Sequence, residues 1–197
     1  MIKIGITGGL GSGKSVVSLL FTAIGVPVYV ADNEGKKLSD TSPVIRKKLK
    51  ELFGDDIYTD IGLNRKRLAS LVFTDEALLE KVNSIIHPVV RKDFNEWANR
   101  QDSGYCAIES AILYESGFDN DVDVVIMVYA PVELRLARAM KRDNATEAEI
   151  MKRMNRQIPD ALKRKQADFV IVNDDVQAVI PQIDSIMKQL VGISVYL

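Results

Sequence analysis

The sequence predicts an α/β fold, a three-layer α/β/α arrangement around a five-stranded parallel sheet. Three observations carry that expectation. Short apolar runs recur along the 197 residues, amphipathic stretches separate them, and a glycine-rich turn links the first run to the first helix. Strands that alternate with helices favour parallel pairing, because each crossover helix covers a sheet face.

Ile2 to Thr7 reads as the first strand, and Lys14 to about Ile24 as a helix ended by Gly25. Val26 to Val30 is a short second strand. Tyr105 to Glu109 and Val122 to Tyr129 follow, the second apolar enough for a central parallel strand. Phe169 to Val172 makes a fifth, and an amphipathic helix over about Val176 to Leu190 closes the pattern. Two stretches break the alternation. Residues 33–103 are helical in pattern with almost no strand signal, and read as an insertion. His87 precedes Pro88 there, which marks a helix stop, since proline disfavours helix at the residue before it. Residues 133–166 are helical and densely basic, with a capping box from Thr146 to Glu149. The expected division is therefore a core of 1–32, 104–132 and 167–197, an insertion of 33–103 and a lid of 133–166.

Composition is ordinary for a globular protein, 47% hydrophobic and 27% charged, with a net charge of −1. That balance argues against a general nucleic-acid binder. The single cysteine, Cys106, sits in an apolar run and reads as a small buried hydrophobe. No signal peptide or membrane span is visible, so the expected location is the cytoplasm and no membrane partner is expected. Phe94 and Trp97, three apart, read as packing.

The turn after the first strand, Gly8-Gly-Leu-Gly-Ser-Gly-Lys-Ser15, fits the phosphate-loop pattern in its required strand-to-helix context. A chance match of this kind arises in about 1% of such chains or fewer. Glycines let backbone N–H groups converge on phosphate oxygens, Lys14 supplies charge to the β- and γ-phosphates, and Ser15 offers a hydroxyl to Mg²⁺. Gly8, Gly9, Gly11, Ser12, Gly13, Lys14, Ser15 and Val16 are thus the expected nucleotide contacts. The fold class sharpens to the P-loop NTPase type.

Phosphoryl transfer also needs a carboxylate near the acceptor and cations that follow the transferring group. Asp32, just past the second strand, is either that carboxylate or the N-cap of a helix starting at Asn33. Glu109 and Glu115 flank the end of the third strand and read as solvated loop carboxylates rather than metal neighbours. Arg135, Arg138 and Arg142 share one helical face, and Arg153 with Arg156 repeats the spacing. Two such ladders in a phosphate-loop protein look like a lid closing over a triphosphate. There is no Asn-Lys-x-Asp segment for reading guanine. His87 by itself reads as structural.

Together the pieces resemble the dephospho-coenzyme A kinase family over nearly the whole chain. The resemblance runs through Ile6 to Ser15, Val30-Ala-Asp32, Leu63-Asn-Arg65 with Leu68 and Val72-Phe73, and Ile86-His-Pro88. It continues through Ile112-Leu-Tyr-Glu115, Arg138 with Arg142, Gln157, Ala167-Asp168 and Asn173. It implies a nucleotide-binding core, a helical acceptor-binding insertion and a lid. It also implies ATP as co-substrate, Mg²⁺, and transfer of the γ-phosphoryl to the ribose 3′-hydroxyl of dephospho-CoA in the last step of coenzyme A synthesis. On this basis Asp32 matches the catalytic aspartate, Arg142 a lid arginine on the phosphates, and Asn173 a residue that meets adenine. Arg138 falls in the same nucleotide-side pattern, while Arg65 and His87 fall in acceptor-side motifs.

There are departures. Val30 replaces the first aspartate of the family's Asp-Ala-Asp, and Ala111 to Leu113 replaces Pro-Leu-Leu. Glutamine is common at Arg135, and arginine at Lys163, which is therefore not expected as a key contact. The competing expectations are another P-loop kinase with a nucleoside, sugar or shikimate-like acceptor, or a regulatory ATP-binding protein.

Overall fold

The computed structural model describes residues 1–73 and 75–194, with side chains through residue 191; the last three residues of the expected core segment 167–197 lie outside that range. The chain forms two compact units: Met1–Tyr29 with the chain from Gln101 onward, and Val30–Arg100.

The first unit is built on a five-stranded sheet of β1 (Ile2–Thr7), β2 (Val28–Val30), β5 (Tyr105–Glu109), β6 (Val124–Tyr129) and β7 (Phe169–Val172), in spatial order β2-β5-β1-β6-β7. The ladders of β1 with β5, β1 with β6 and β6 with β7 are parallel, so the expected parallel sheet is present. In β1 the isoleucines at positions 2, 4 and 6 face one way, with Ile4 and Ile6 fully buried. They meet Val17 and Phe21 of α1 (Lys14–Ala23), four residues apart and so on one helical face, and Ile183, Ile186 and Leu190 of α9 (Val179–Ser194). Alternation along β6 sends Val125 and Met127 to the other face. There Ile158 and Gln166, the last residue of α8 (Asp160–Gln166), lie beside Val125. Helices on both faces make the three layers. Cys106 is fully buried, and burial pushes its thiol up, as suits a small core residue.

Between β6 and β7 run α6 (Val132–Asp143), α7 (Glu147–Met154) and α8. The Thr146–Glu149 capping box forms as expected: each side chain accepts from the other residue's backbone N–H.

The second unit contains α2 (Ala31–Thr41), α3 (Pro43–Phe53), a hairpin of β3 (Tyr58–Thr59) and β4 (Gly62–Leu63), α4 (Arg65–Val72) and α5 (Glu76–Ala98). Ser42, Asn64 and Asp75 cap α3, α4 and α5 by accepting backbone N–H groups. Its core gathers Ile45, Leu49, Ile57, Tyr58, Leu63 and Val82.

Two expectations change here. The hairpin is a strand pair that two-residue strands are too short to announce. The helix stop at His87 does not occur: α5 runs unbroken for 23 residues with Pro88 inside it. Pro88 removes one hydrogen bond to Ser84, but both residues are exposed, so water can satisfy the freed carbonyl. Val82 on one side and Val90, Phe94 and Ala98 on the other are buried, and packing on both sides keeps the helix continuous through the proline. Phe94 and Trp97 stack at 6.2 Å between ring centroids, a packing contact.

His87 is half-buried on α5, and burial lowers its pKa from the ordinary 6.5. A base whose folded pKa is depressed contributes stability that is present above its unfolded pKa and is lost as the pH falls, because the unfolded chain then binds the proton more readily. Urea denaturation between pH 7.5 and 5.5 should therefore show wild-type stability falling more steeply below about pH 6.5 than that of His87→Gln. Equal slopes would remove the desolvated histidine as the cause.

Candidate active site

The sheet topology fixes where a ligand can sit. From β1 the chain crosses to β2 on one side, and from β5 it crosses over β1 to β6 on the other. Ligands of open α/β sheets gather at the carboxyl ends of strands where the order reverses, here those of β1 and β5. Gly8 to Gly13 leaves β1 at that point, and Lys14 and Ser15 begin α1.

Gly13 occupies the N-cap of α1 with φ of 92°, and a Cβ there would run into the Asn173 side-chain amide. Gly11 has φ of 79°, and a Cβ would overlap the backbone carbonyl of Arg135. Glycine is required at both positions by backbone angle and by space. A helix start also leaves its first amides without a carbonyl one turn back, which together with the dipole favours an anion. The Lys14 ammonium donates to the carbonyls of Gly8 at 3.0 Å and Gly9 at 3.2 Å. The Ser12 hydroxyl is buried inside the loop with no hydrogen-bond partner among the described residues. Val16 is exposed on the first turn of α1.

Glu109 corrects the expectation of a solvated loop carboxylate. It ends β5, opposite Ile6 in the parallel register, and is only 8% exposed. Its Oε1 accepts a hydrogen bond from the Ser15 hydroxyl at 3.1 Å. A buried carboxylate partnered by one hydroxyl calls for a cation. Both groups are hard oxygen donors, so the pair fits Mg²⁺. Among the described residues no group of three or more His, Cys, Asp or Glu side chains is placed to hold a metal, so the remaining ligands of such an ion would be substrate phosphates and water.

The arginines expected on one face do not behave alike. Arg135 is buried, donates from Nε to the Leu10 carbonyl at 3.0 Å, and pairs with Asp160. Arg138 donates to the Asn173 carbonyl at 3.0 Å and pairs with Asp175. Arg142 is exposed and pairs with Asp143, which also takes Arg153 at 2.5 Å. Hydrogen bonds from Arg142 and Arg153 hold the Asp143 carboxyl well below the usual carboxylate range. The Asn173 side-chain amide donates to the Ser12 carbonyl at 2.8 Å, so this residue fixes the loop directly.

Lys163 is a residue that sequence reasoning set aside. It is fully buried, donates to the Ala111 carbonyl at 2.8 Å and pairs with Glu115 at 3.1 Å. Burial pushes its ammonium pKa down, while Glu115 opposes that shift. The only available signal was the basic residue in a position where the resembled family carries arginine. Glu115 itself is not a free loop group, since it also accepts the Ile158 N–H at 2.8 Å.

The second unit carries the remaining candidates. The N-cap of α2 is Val30, so Asp32 is not the cap that one alternative made it. It stands exposed in the first helical turn and makes no hydrogen bond or ion pair among the described residues. Arg65 donates to the Lys36 carbonyl at 2.8 Å and to Asp40 at 2.7 Å, and Asp40 accepts the Leu63 N–H at 2.9 Å. That carboxylate ties α2 to the hairpin and to the start of α4.

Comparison with known proteins gives these features a family. The dephospho-CoA kinase family model matches residues 2–178. A dephospho-CoA kinase of Bacteroides fragilis is 50% identical over 183 residues, covering 92% of this chain and 89% of that protein. One from Porphyromonas gingivalis is 46% identical over 189 residues, covering 95% and 94%. The solved dephospho-CoA kinase of Campylobacter jejuni superposes with a TM-score of 0.66 at 25% identity, covering 98% of this chain and 96% of that one. A family match over residues 2–178 and relatives near half identity over most of the chain make it a member of the dephospho-CoA kinase family.

Proposed function

We propose that the protein transfers the γ-phosphoryl group of ATP to the ribose 3′-hydroxyl of dephospho-CoA, giving coenzyme A and ADP. The observation that carries this reading is the phosphate loop joined to a buried Glu109–Ser15 pair, in a chain whose family match runs from residue 2 to 178. An O–P bond forms at the 3′-oxygen, the bond from the β,γ-bridging oxygen to the γ-phosphorus breaks, and ADP departs. The hydroxyl proton leaves to Asp32 or, late in a loose transition state, to water.

Each residue has a role in this scheme. The backbone of Gly8, Gly9, Gly11, Ser12, Gly13 and Val16 surrounds the β-phosphate, and Lys14 exchanges the Gly8 and Gly9 carbonyls for phosphate oxygens. Ser15 and Glu109 would hold Mg²⁺, which when bound would neutralise phosphate charge. Asp32 is well suited to orient the acceptor hydroxyl, because it is exposed and uncommitted. Arg142 and Arg138 supply positive charge from residues 133–166, which act as the lid. Asn173 is the residue assigned to the nucleotide base. Residues 33–103 bind the acceptor, with Arg65 and His87 lining that side. No helix among the described residues is long and apolar enough to cross a membrane.

ADP release measured with Mg-ATP and a panel of acceptors tests the reading. Dephospho-CoA should stimulate turnover well above the ATPase background, whereas shikimate, sugars and nucleosides should not; no stimulation by dephospho-CoA refutes the proposal. Asp32→Asn should cut kcat by about 100-fold or more while ATP affinity by calorimetry stays within about two-fold. An unchanged kcat would reduce Asp32 to a helix-dipole charge. Lys14→Ala should lower kcat/KM for ATP by at least about 100-fold. Near-normal values would undo the assignment of the loop.

A further inference from the structure

Leu10, at the crown of the phosphate loop, is held from three directions by the segment that follows β6. Its N–H donates to Gln157 Oε1 at 2.8 Å, and its carbonyl accepts from Arg135 Nε at 3.0 Å. Its side chain packs into the apolar cluster of Leu136, Met140, Ile150 and Met151 on α6 and α7. Gln157 is engaged at both ends, since its Nε2 donates to the Ala111 carbonyl at 3.2 Å. An acceptor therefore faces the Leu10 N–H and a donor faces the Ala111 carbonyl, so only one orientation of the amide satisfies both. The same Ala111 carbonyl takes Lys163, which Glu115 partners, and Arg135 is partnered by Asp160. Two buried cations thus flank the glutamine, and both have partners, which makes the group stiff rather than labile.

We infer that Gln157 is a positioning residue that gauges the phosphate loop against the loop after β5. By fixing the Leu10 backbone it sets the curvature that lets neighbouring amides converge on phosphate. It also couples the loop to α7 and α8, since Gln157 lies in the connection between them. Neither Gln157 nor Leu10 needs to touch the nucleotide. The effect on turnover rests on the kinase reading, whereas the effects on loop order and nucleotide affinity do not.

The test uses the full chain with Gln157→Leu, which keeps size but loses both hydrogen bonds, and Gln157→Glu, which keeps the acceptor for Leu10. Amide hydrogen exchange by NMR should be at least about ten-fold faster at Leu10 in Gln157→Leu, with Ile4 and Ile126 unchanged. Gln157→Glu should restore Leu10 protection. Calorimetry should show Mg-ADP binding weakened about five- to ten-fold in Gln157→Leu, and KM for ATP should rise by a similar factor while KM for dephospho-CoA stays within about two-fold. Unchanged Leu10 exchange, unchanged Mg-ADP affinity, parallel rises in both KM values, or a Gln157→Glu variant as labile as Gln157→Leu would each overturn the inference. If the wild type binds Mg-ADP and the exchange result holds while dephospho-CoA gives no turnover, the acceptor assignment fails and the positioning role stands.

Discussion

The two-sided pairing of β1 is the constraint on which the site depends. Parallel ladders to β5 and to β6 satisfy its backbone on both edges, and its isoleucines lock one face into the core. The chain that leaves it at Thr7 therefore starts from a fixed point and direction. The same register sets Ile6 opposite Glu109, so the carboxylate arrives beside the first turn of α1 without a loop having to find it. A shift of one residue in that ladder would turn Glu109 to the other face and separate it from Ser15.

Around this point the protein keeps two cations out of water. Arg135 is 5% exposed and Lys163 is fully buried, each with an acidic partner and a backbone carbonyl. Burying a cation is costly unless such partners are in place, and removing one partner alone is worse than never having had the pair. Arg135 reaches Leu10, Lys163 reaches Ala111, Arg138 reaches Asn173, and Asn173 reaches Ser12. The basic residues read from their spacing as a lid over phosphate thus divide into two groups. Arg135 and Arg138 brace the loop, whereas Arg142 and Arg153 share Asp143 at the surface.

The sheet was legible because its strands announce themselves by local pattern. Ile2 to Thr7, Tyr105 to Glu109 and Phe169 to Val172 are read to the residue, and the phosphate loop is a contiguous motif. What local pattern misses is what tertiary contact decides. Pro88 breaks a helix by local rule, yet the buried residues on either side keep α5 whole. Glu109 looks like a loop carboxylate until the register buries it, and Lys163 looks like a weak replacement for arginine until the Ala111 carbonyl and Glu115 enclose it. Asp32 is a candidate by position alone, and the structure removes its competing role as an N-cap by starting α2 at Ala31.

In the proposed reaction a phosphate held at Gly8 to Ser15 is passed to one particular hydroxyl. Phosphorus NMR of a turnover mixture of the protein, Mg-ATP and dephospho-CoA tests it most directly. A new phosphomonoester, coupled to the ribose 3′ proton, should form one for one with ADP. ADP accompanied only by inorganic phosphate, or a phosphomonoester on any other carbon, would contradict it.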